Sequence, residues 1–123
     1  MGISVIFGGQ WGSEGKGKTA LFFAKKLNAS VVVRVGGINS GHTIISEDGQ
    51  RLAFRILPVA SILEGVTCVL PAGSYIDVNI LEKEIQLSGI DKKLLKIHPN
   101  AVIIKKSDSL HEVGAELNDK IGS

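Results

Sequence analysis

The sequence predicts an α/β fold with a mostly parallel sheet, and three observations support this prediction. A short apolar run at residues 3–8 is typical of a buried strand, and a glycine-rich loop follows it directly. Residues 16–28 then have helical apolar spacing, and residues 30–35 form a second, valine-rich strand suited to a sheet covered on both faces. Asp-Gly within residues 47–50, between two apolar runs, predicts a β-hairpin.

The remaining elements are assigned by the same patterns. Asp77 is the predicted N-cap of a helix over residues 78–88, which Gly89 ends. We interpret Glu82, Lys83 and Glu84 as its solvated face. In the helix at residues 16–28 the predicted inward-facing side chains are Leu21, Phe22, Ala24 and Leu27. The other predicted elements are hairpin strands at residues 43–46 and 51–55, strands at 65–70, 94–97 and 101–104, a turn at 71–74 and a helix within 110–117.

Composition limits the class of protein. A chain of 123 residues holds at most one domain, and 44% hydrophobic with 21% charged residues is ordinary for a globular α/β protein. A net charge of +2 without a basic run argues against a nucleic-acid partner. No signal peptide and no membrane-spanning stretch are predicted. A single cysteine, Cys68, fits a reducing cytoplasm, and we interpret it as a small buried hydrophobe.

The first glycine-rich loop predicts a phosphate site. Residues 12–19 fit the phosphate-loop pattern G-x-x-x-x-G-K-[ST], between a predicted strand and a predicted helix. Glycines let several backbone N–H groups point at one anion, and the helix N-terminus adds its positive dipole end. Lysine neutralises phosphate charge, and the hydroxyl of Thr19 is a suitable Mg²⁺ ligand.

A second loop follows the valine-rich strand at the same end of the predicted sheet. Residues 34–43 contain three glycines together with Asn39, Ser40, His42 and Thr43. A histidine in isolation is more often structural than catalytic, but its place in a glycine-rich loop beside a phosphate site favours a catalytic role. Phosphoryl transfer needs clustered positive charge, a metal and one titratable donor. The two loops contain lysines for the charge, oxygen ligands for a metal and a histidine as the titratable donor.

These two loops carry a resemblance to a known family. Residues 10–18 (Q-W-G-S-E-G-K-G-K) and 36–43 (G-G-I-N-S-G-H-T) resemble the two N-terminal motifs of adenylosuccinate synthetase. Weaker similarity extends over nearly the whole chain. The resemblance implies a cytoplasmic, GTP-dependent ligase of purine nucleotide (AMP) biosynthesis, which joins L-aspartate to IMP. It also implies Mg²⁺ as cofactor and a homodimer at full length.

The resemblance assigns roles to individual residues. His42 is the implied general acid, Lys16 neutralises the phosphoryl group, and Ser13 occupies the position of the catalytic base. The implied Mg²⁺ ligands are the Gly41 carbonyl and the residue at position 13. The implied GTP-binding residues are Gly12, Ser13, Glu14, Gly15, Lys16, Gly17, Lys18, Gly41, His42 and Thr43. The implied residues for the purine nucleotide are Ser13, Glu14, Gly15, Lys16, Asn39, Ser40, Gly41 and His42.

Ser13 departs from the family motif, which has an aspartate there as catalytic base and Mg²⁺ ligand. A serine hydroxyl is neutral at pH 7, so it cannot take up the purine N1 proton in the same way. Three interpretations stay open: Glu14 or a water replaces the base, the site is a non-catalytic nucleotide-binding relative, or the substrate differs. A smaller side chain leaves room for the 2-amino group of guanine. Phage-type 2-aminoadenylosuccinate synthetases, which act on dGMP, resemble this chain in lacking the aspartate.

The last expectations concern the extent of the domain and the alternative functions. Members of the family are several hundred residues long, so we expect these residues to be the N-terminal part of one ligase domain that continues beyond Ser123 and is inactive alone. A kinase or hydrolysing NTPase would need a strand ending in an Mg²⁺-binding Asp, for which Asp77 is the nearest candidate. A regulatory nucleotide-binding domain is favoured only by Ser13 and the short length.

Overall fold

A computed structural model describes residues 2–10, 12 and 14–105 of the chain. Its central element is a three-stranded parallel sheet of β1 (Val31–Val33), β4 (Thr67–Leu70) and β6 (Leu95–Ile97), in the order β1-β4-β6. Val32 pairs with Cys68, and Cys68 pairs with Leu95 on its other side. The predicted α/β class with a mainly parallel sheet is therefore confirmed.

Helix α1 (Lys16–Lys26) connects the first glycine-rich loop to β1. It ends where Asn28 adopts a left-handed conformation (φ 49°) and donates its N–H to the Lys25 carbonyl (3.1 Å). The predicted helix is confirmed, but only part of its predicted inward face is buried. Ala24 is buried, whereas Phe22 and Leu27 are 58% and 55% exposed.

The predicted hairpin is formed by β2 (His42–Ile45) and β3 (Arg51–Phe54), which pair antiparallel. Gly49 in its turn has φ 86°, a conformation that glycine adopts without strain. Two short strands, β5 (Tyr75–Ile76) and β7 (Val102–Ile103), pair in parallel. The sequence pattern predicted β7 but not β5, which has only two residues.

The second helix, α2 (Val78–Ser88), has the predicted bounds. The Asp77 carboxylate accepts the N–H groups of Asn79 (2.9 Å) and Ile80 (3.2 Å), and Gly89 ends the helix in a left-handed conformation (φ 69°). In the described part of the chain each α-helix has 11 residues, and no helix there is long and apolar enough to cross a bilayer.

The main core lies between the sheet, the hairpin and α2. Its largest fully buried side chains are Phe54, Ile44, Leu57, Leu70, Ile76 and Cys68. Helix α1 packs on β2, with Gly17 next to His42, so the second glycine-rich loop, which ends at β2, lies close to the start of α1.

The predicted first strand is wrong for this structure. Residues 3–8 form no strand, and Ile3 and Phe7 are 94% and 81% exposed. An apolar pattern indicates a tendency toward burial, but a strand also needs a partner edge, and in the described residues no strand pairs with this segment. The predicted helix within residues 110–117 and the positions Trp11 and Ser13 lie outside the described residues.

Candidate nucleotide site

The first glycine-rich loop ends at an open helix N-terminus. Gly15 is the N-cap of α1 with φ 73°, a left-handed conformation that an L side chain would strain. The first turn contains no acidic residue, and no side chain caps it. Because the first N–H groups of a helix lack intrahelical partners, this end presents donors and a positive dipole to an anion.

Glu14 and Lys16 form an ion pair inside this loop. The Lys16 Nζ lies 3.0 Å from the Glu14 carboxylate, which also accepts the backbone N–H of Gln10 (2.5 Å). The hydrogen bond from Lys16 and then that from Gln10 lower the pKa of Glu14, so its carboxylate is ionised at neutral pH. A bound phosphate would compete with Glu14 for Lys16.

The second loop leads from β1 to His42. Gly36 has φ 148°, and a Cβ there would lie 3.3 Å from the Ser40 hydroxyl. Ser40 closes the turn by donating its hydroxyl (2.9 Å) and its N–H (3.3 Å) to the Gly37 carbonyl. His42 follows as the first residue of β2, where it pairs with Phe54.

The two loops meet where Gly17 in α1 packs against His42. A Cβ added at Gly17 would lie 2.7 Å from the His42 Cβ and 3.4 Å from Val59 Cγ1. Real Cβ contacts do not reach that first distance, so only glycine lets α1 approach β2 this closely.

His42 is half-buried, and its pKa is lowered below the usual value of 6.5. Desolvation is the largest cause, and the positive charges of Arg34 and Lys16 add to it. Its imidazole is therefore neutral at pH 7 in the ligand-free protein. A neutral imidazole still donates one N–H, and a bound polyphosphate would favour the protonated form because its charge opposes that of the imidazolium.

A cleft of about 220 Å³ separates the two loops. Its lining consists of Gly12, Glu14, Gly15, Lys16, Gly17, Lys18, Ser40, Gly41, His42 and Thr43. All described residues predicted to bind GTP are among them, and Asn39 is exposed next to Ser40. A second cavity of about 360 Å³ also contains Glu14 and Lys16 but is bordered by the exposed N-terminal segment, so the smaller cleft is the better candidate site.

The described residues contain no group of three or more His, Cys, Asp or Glu side chains arranged to hold a metal. The Thr19 hydroxyl donates to the Gly15 carbonyl (3.2 Å) within α1. Gly41 is exposed at the cleft, and its carbonyl is a hard oxygen donor. This donor set fits Mg²⁺ held mainly by substrate phosphates and water, which is its usual coordination in phosphoryl-transfer sites.

Sequence reasoning missed two buried charged residues. Glu84 is not part of the solvated face of α2: it is 5% exposed and accepts backbone N–H groups of residues 55–57. Arg34 is 8% exposed and donates to three backbone carbonyls. The sequence did indicate that Glu84 could be buried, because it lies three residues after Leu81 and so shares the buried face of the helix with it.

Cys68 is fully buried in the middle strand of the sheet, and desolvation raises its pKa to about 11. A thiol with this pKa is almost entirely protonated at neutral pH and is a poor nucleophile. Its interpretation as a buried hydrophobe is confirmed.

Comparison with known proteins identifies the family. The family model for adenylosuccinate synthetase matches residues 5–123. The chain belongs to the adenylosuccinate synthetase family. Among curated relatives, adenylosuccinate synthetase of Prochlorococcus marinus (strain MIT 9515) is 42% identical over 76% of this chain and 22% of its own length. The enzyme of Methanococcus maripaludis (strain C6) is 32% identical over the whole chain and 37% of its own length.

Two solved structures of synthetases share the fold. Adenylosuccinate synthetase from Plasmodium falciparum, in a fully ligated form, superposes with a TM-score of 0.76 at 28% identity, over 89% of this chain and 26% of its own. Succinoaminodeoxyadenylate synthetase of cyanophage S-2L was solved bound to dGMP and to dATP as an energy donor. It superposes with a TM-score of 0.74 at 26% identity, over 87% of this chain and 31% of its own. The chain thus spans between about a fifth and two fifths of the length of the curated relatives above.

Proposed function

We propose that this chain forms the nucleotide-binding part of a GTP-dependent ligase that joins L-aspartate to the 6-position of a purine nucleoside monophosphate, converting IMP to adenylosuccinate. Membership of the adenylosuccinate synthetase family supports the reaction class. The observation that carries the proposal is the cleft in which the open N-terminus of α1, Lys16 and His42 border one space.

The proposed chemistry has two steps, and each uses a described group. Glu14 or a water takes up the N1 proton of the purine, the 6-oxygen attacks the γ-phosphorus of GTP, the bond to the β–γ bridging oxygen breaks, and GDP leaves. The aspartate amine then attacks C6, phosphate departs with the former 6-oxygen, and the nitrogen loses a proton. Lys16 and the helix N-terminus stabilise charge on the moving phosphoryl group, and His42 donates a proton or an N–H hydrogen bond to the oxygens.

Mg²⁺ fits this proposal as a cofactor held by nucleotide phosphates together with the Gly41 carbonyl and, by the family motif, the residue at position 13. When bound, it would supply Lewis-acid stabilisation of the phosphoryl oxygens. Ser13 offers only a neutral hydroxyl, so the rest of the coordination falls to phosphates and water.

A second candidate is the succinoaminodeoxyadenylate synthetase reaction with dGMP. The observation that favours it is Ser13 in place of the family aspartate, and the fold similarity to the cyanophage S-2L enzyme at 26% identity is compatible with it. A hydroxyl in place of a carboxylate leaves space and removes a negative charge near N1 and C2 of the base, where guanine carries its amino group.

The decisive experiment measures phosphate release by the protein expressed from the complete reading frame. Aspartate and Mg²⁺ are supplied with GTP or dATP as phosphoryl donor, and with IMP or dGMP as acceptor. Release with IMP and GTP supports the first candidate, and release restricted to dGMP supports the second. Release that does not depend on aspartate would contradict both and indicate a hydrolysing NTPase.

A matched pair of variants tests whether the described cleft is the site. Lys16→Met removes one of the two lysines that line the cleft and should lower turnover at least about 100-fold, the size of effect typical of a lost transition-state donor. Lys25→Met changes an exposed lysine of the same helix, which forms a surface ion pair with Glu47 (3.0 Å), and should leave turnover within about twofold. Equal effects of the two changes would exclude the cleft.

A further inference from the structure

Two buried residues of opposite charge lie on either side of the segment that follows β3. Arg34 comes directly after β1 and is 8% exposed, and Glu84 in α2 is 5% exposed. Both side chains bind the backbone of residues 54–57. Burying a charge is unfavourable unless hydrogen bonds and an opposite charge compensate it, so this arrangement needs an explanation.

Arg34 bonds three carbonyls from different parts of the chain. One Nη donates to the carbonyls of Leu57 (2.9 Å) and Phe54 (3.3 Å), and the other donates to the carbonyl of Ser40. A guanidinium is planar, stays protonated and has five donors in a fixed fork, so it can join the second loop to the end of the hairpin.

Glu84 fixes the same segment from the other side. Its carboxylate accepts the N–H groups of Arg55 (2.5 Å), Ile56 (3.0 Å) and Leu57 (2.7 Å). The segment therefore gives its carbonyls to Arg34 and its N–H groups to Glu84. Since one buried charge is matched by the other across the backbone, the segment has little freedom to shift.

Two of the three carbonyls bound by Arg34 belong to residues close to His42. Ser40 precedes His42 by two residues in the loop, and Phe54 is the residue that pairs with His42 in the hairpin. We propose that Arg34, braced by the segment that Glu84 holds, is a positioning residue that fixes His42 against the first glycine-rich loop. Only the turnover measurement below depends on the proposed function.

The test compares Arg34→Gln with Arg51→Gln in the protein from the complete reading frame. Arg51 is exposed at the far end of the hairpin, so its change is a matched control. For Arg34→Gln we expect the NMR cross-peak between the Gly17 Hα and His42 Hβ protons to weaken and kcat to fall at least about tenfold. For Arg51→Gln both should stay at the wild-type values.

Other measurements keep the proposal falsifiable if Arg34→Gln fails to fold. Arg34→Lys keeps the charge but cannot reach three carbonyls in fork geometry, so the cross-peak should weaken and kcat should fall even though the charge is unchanged. In the wild-type protein the Arg34 Nη protons should give separate, slowly exchanging NMR signals. Averaged Nη signals, or a folded Arg34→Gln with unchanged cross-peak and kcat, would overturn the proposal. If wild type shows no aspartate-dependent phosphate release, the proposed function fails, but the cross-peak between Gly17 and His42 still tests the positioning role.

Discussion

Gly17 has two roles that a sequence motif does not separate. The phosphate-loop pattern explains a small residue there through access of phosphate to the backbone. The structure adds a packing reason, because a Cβ at this position would lie 2.7 Å from the Cβ of His42. At the scale of single residues, the start of α1 and the first residue of β2 are therefore in direct contact.

Gly17→Ala should destabilise the protein despite the better helix propensity of alanine. Alanine in place of glycine gains about 0.5–1 kcal/mol in a helix interior, whereas overpacking costs about 1–3 kcal/mol. We expect a net loss of about 1–2 kcal/mol in the free energy of unfolding, measured by urea denaturation. Gly37→Ala adds its Cβ to open space and should change stability by less than about 0.5 kcal/mol. A Gly17→Ala protein as stable as wild type would mean that α1 and β2 separate easily.

The cap of α2 gives a prediction at the scale of elements. Asp77→Ala removes the acceptor for the N–H groups of Asn79 and Ile80, so the free energy of unfolding should fall by about 1 kcal/mol. Urea denaturation measures the change. Glu82→Ala, an exposed change in the same helix, is the control. If both variants lose equal stability, helix propensity and not the cap is responsible.

Elements whose signals are local could be predicted from the sequence. The hairpin has Asp48-Gly49 at its turn, and α2 has Asp77 and Gly89 at its ends, so each carries its own boundary residues. The wrongly predicted strand at residues 3–8 lacks such a signal, since pairing depends on a distant edge.

The candidate site also contains some residues that could be predicted from the sequence and others that could not. The described residues of the two glycine-rich motifs could be placed around one cleft because both motifs follow from local chemistry. Arg34 and Glu84 could not, because their partners are backbone groups more than 15 residues away, apart from Ser40. A hydrogen bond to a backbone group does not depend on the side chain of the partner residue, so the sequence does not identify that partner.

Exposed apolar surface is the main feature of the whole molecule that the core does not explain. Ile3, Val5 and Phe7 are 94%, 76% and 81% exposed, and Val31 and Val33 on the edge strand β1 are each 52% exposed. Large exposed apolar patches and unpaired strand edges favour association with other protein surfaces.

The 123-residue chain alone should therefore self-associate as its concentration rises. Sedimentation velocity over a range of concentrations measures this directly. Val33→Lys places a charge on the exposed edge strand and should shift the distribution toward monomer. A wild-type chain that stays monomeric at every concentration would show that this surface is not adhesive.

Cys68 makes the protein convenient to label. It is the single cysteine of the sequence, it is fully buried between two neighbouring strands, and its thiol is protonated at neutral pH. A cysteine introduced at an exposed position such as Val35, which is 84% exposed and is not among the predicted binding residues, would therefore take up a maleimide fluorophore alone, without removal of the native thiol. Nucleotide binding in the cleft could then be followed by fluorescence in a protein whose core is unaltered.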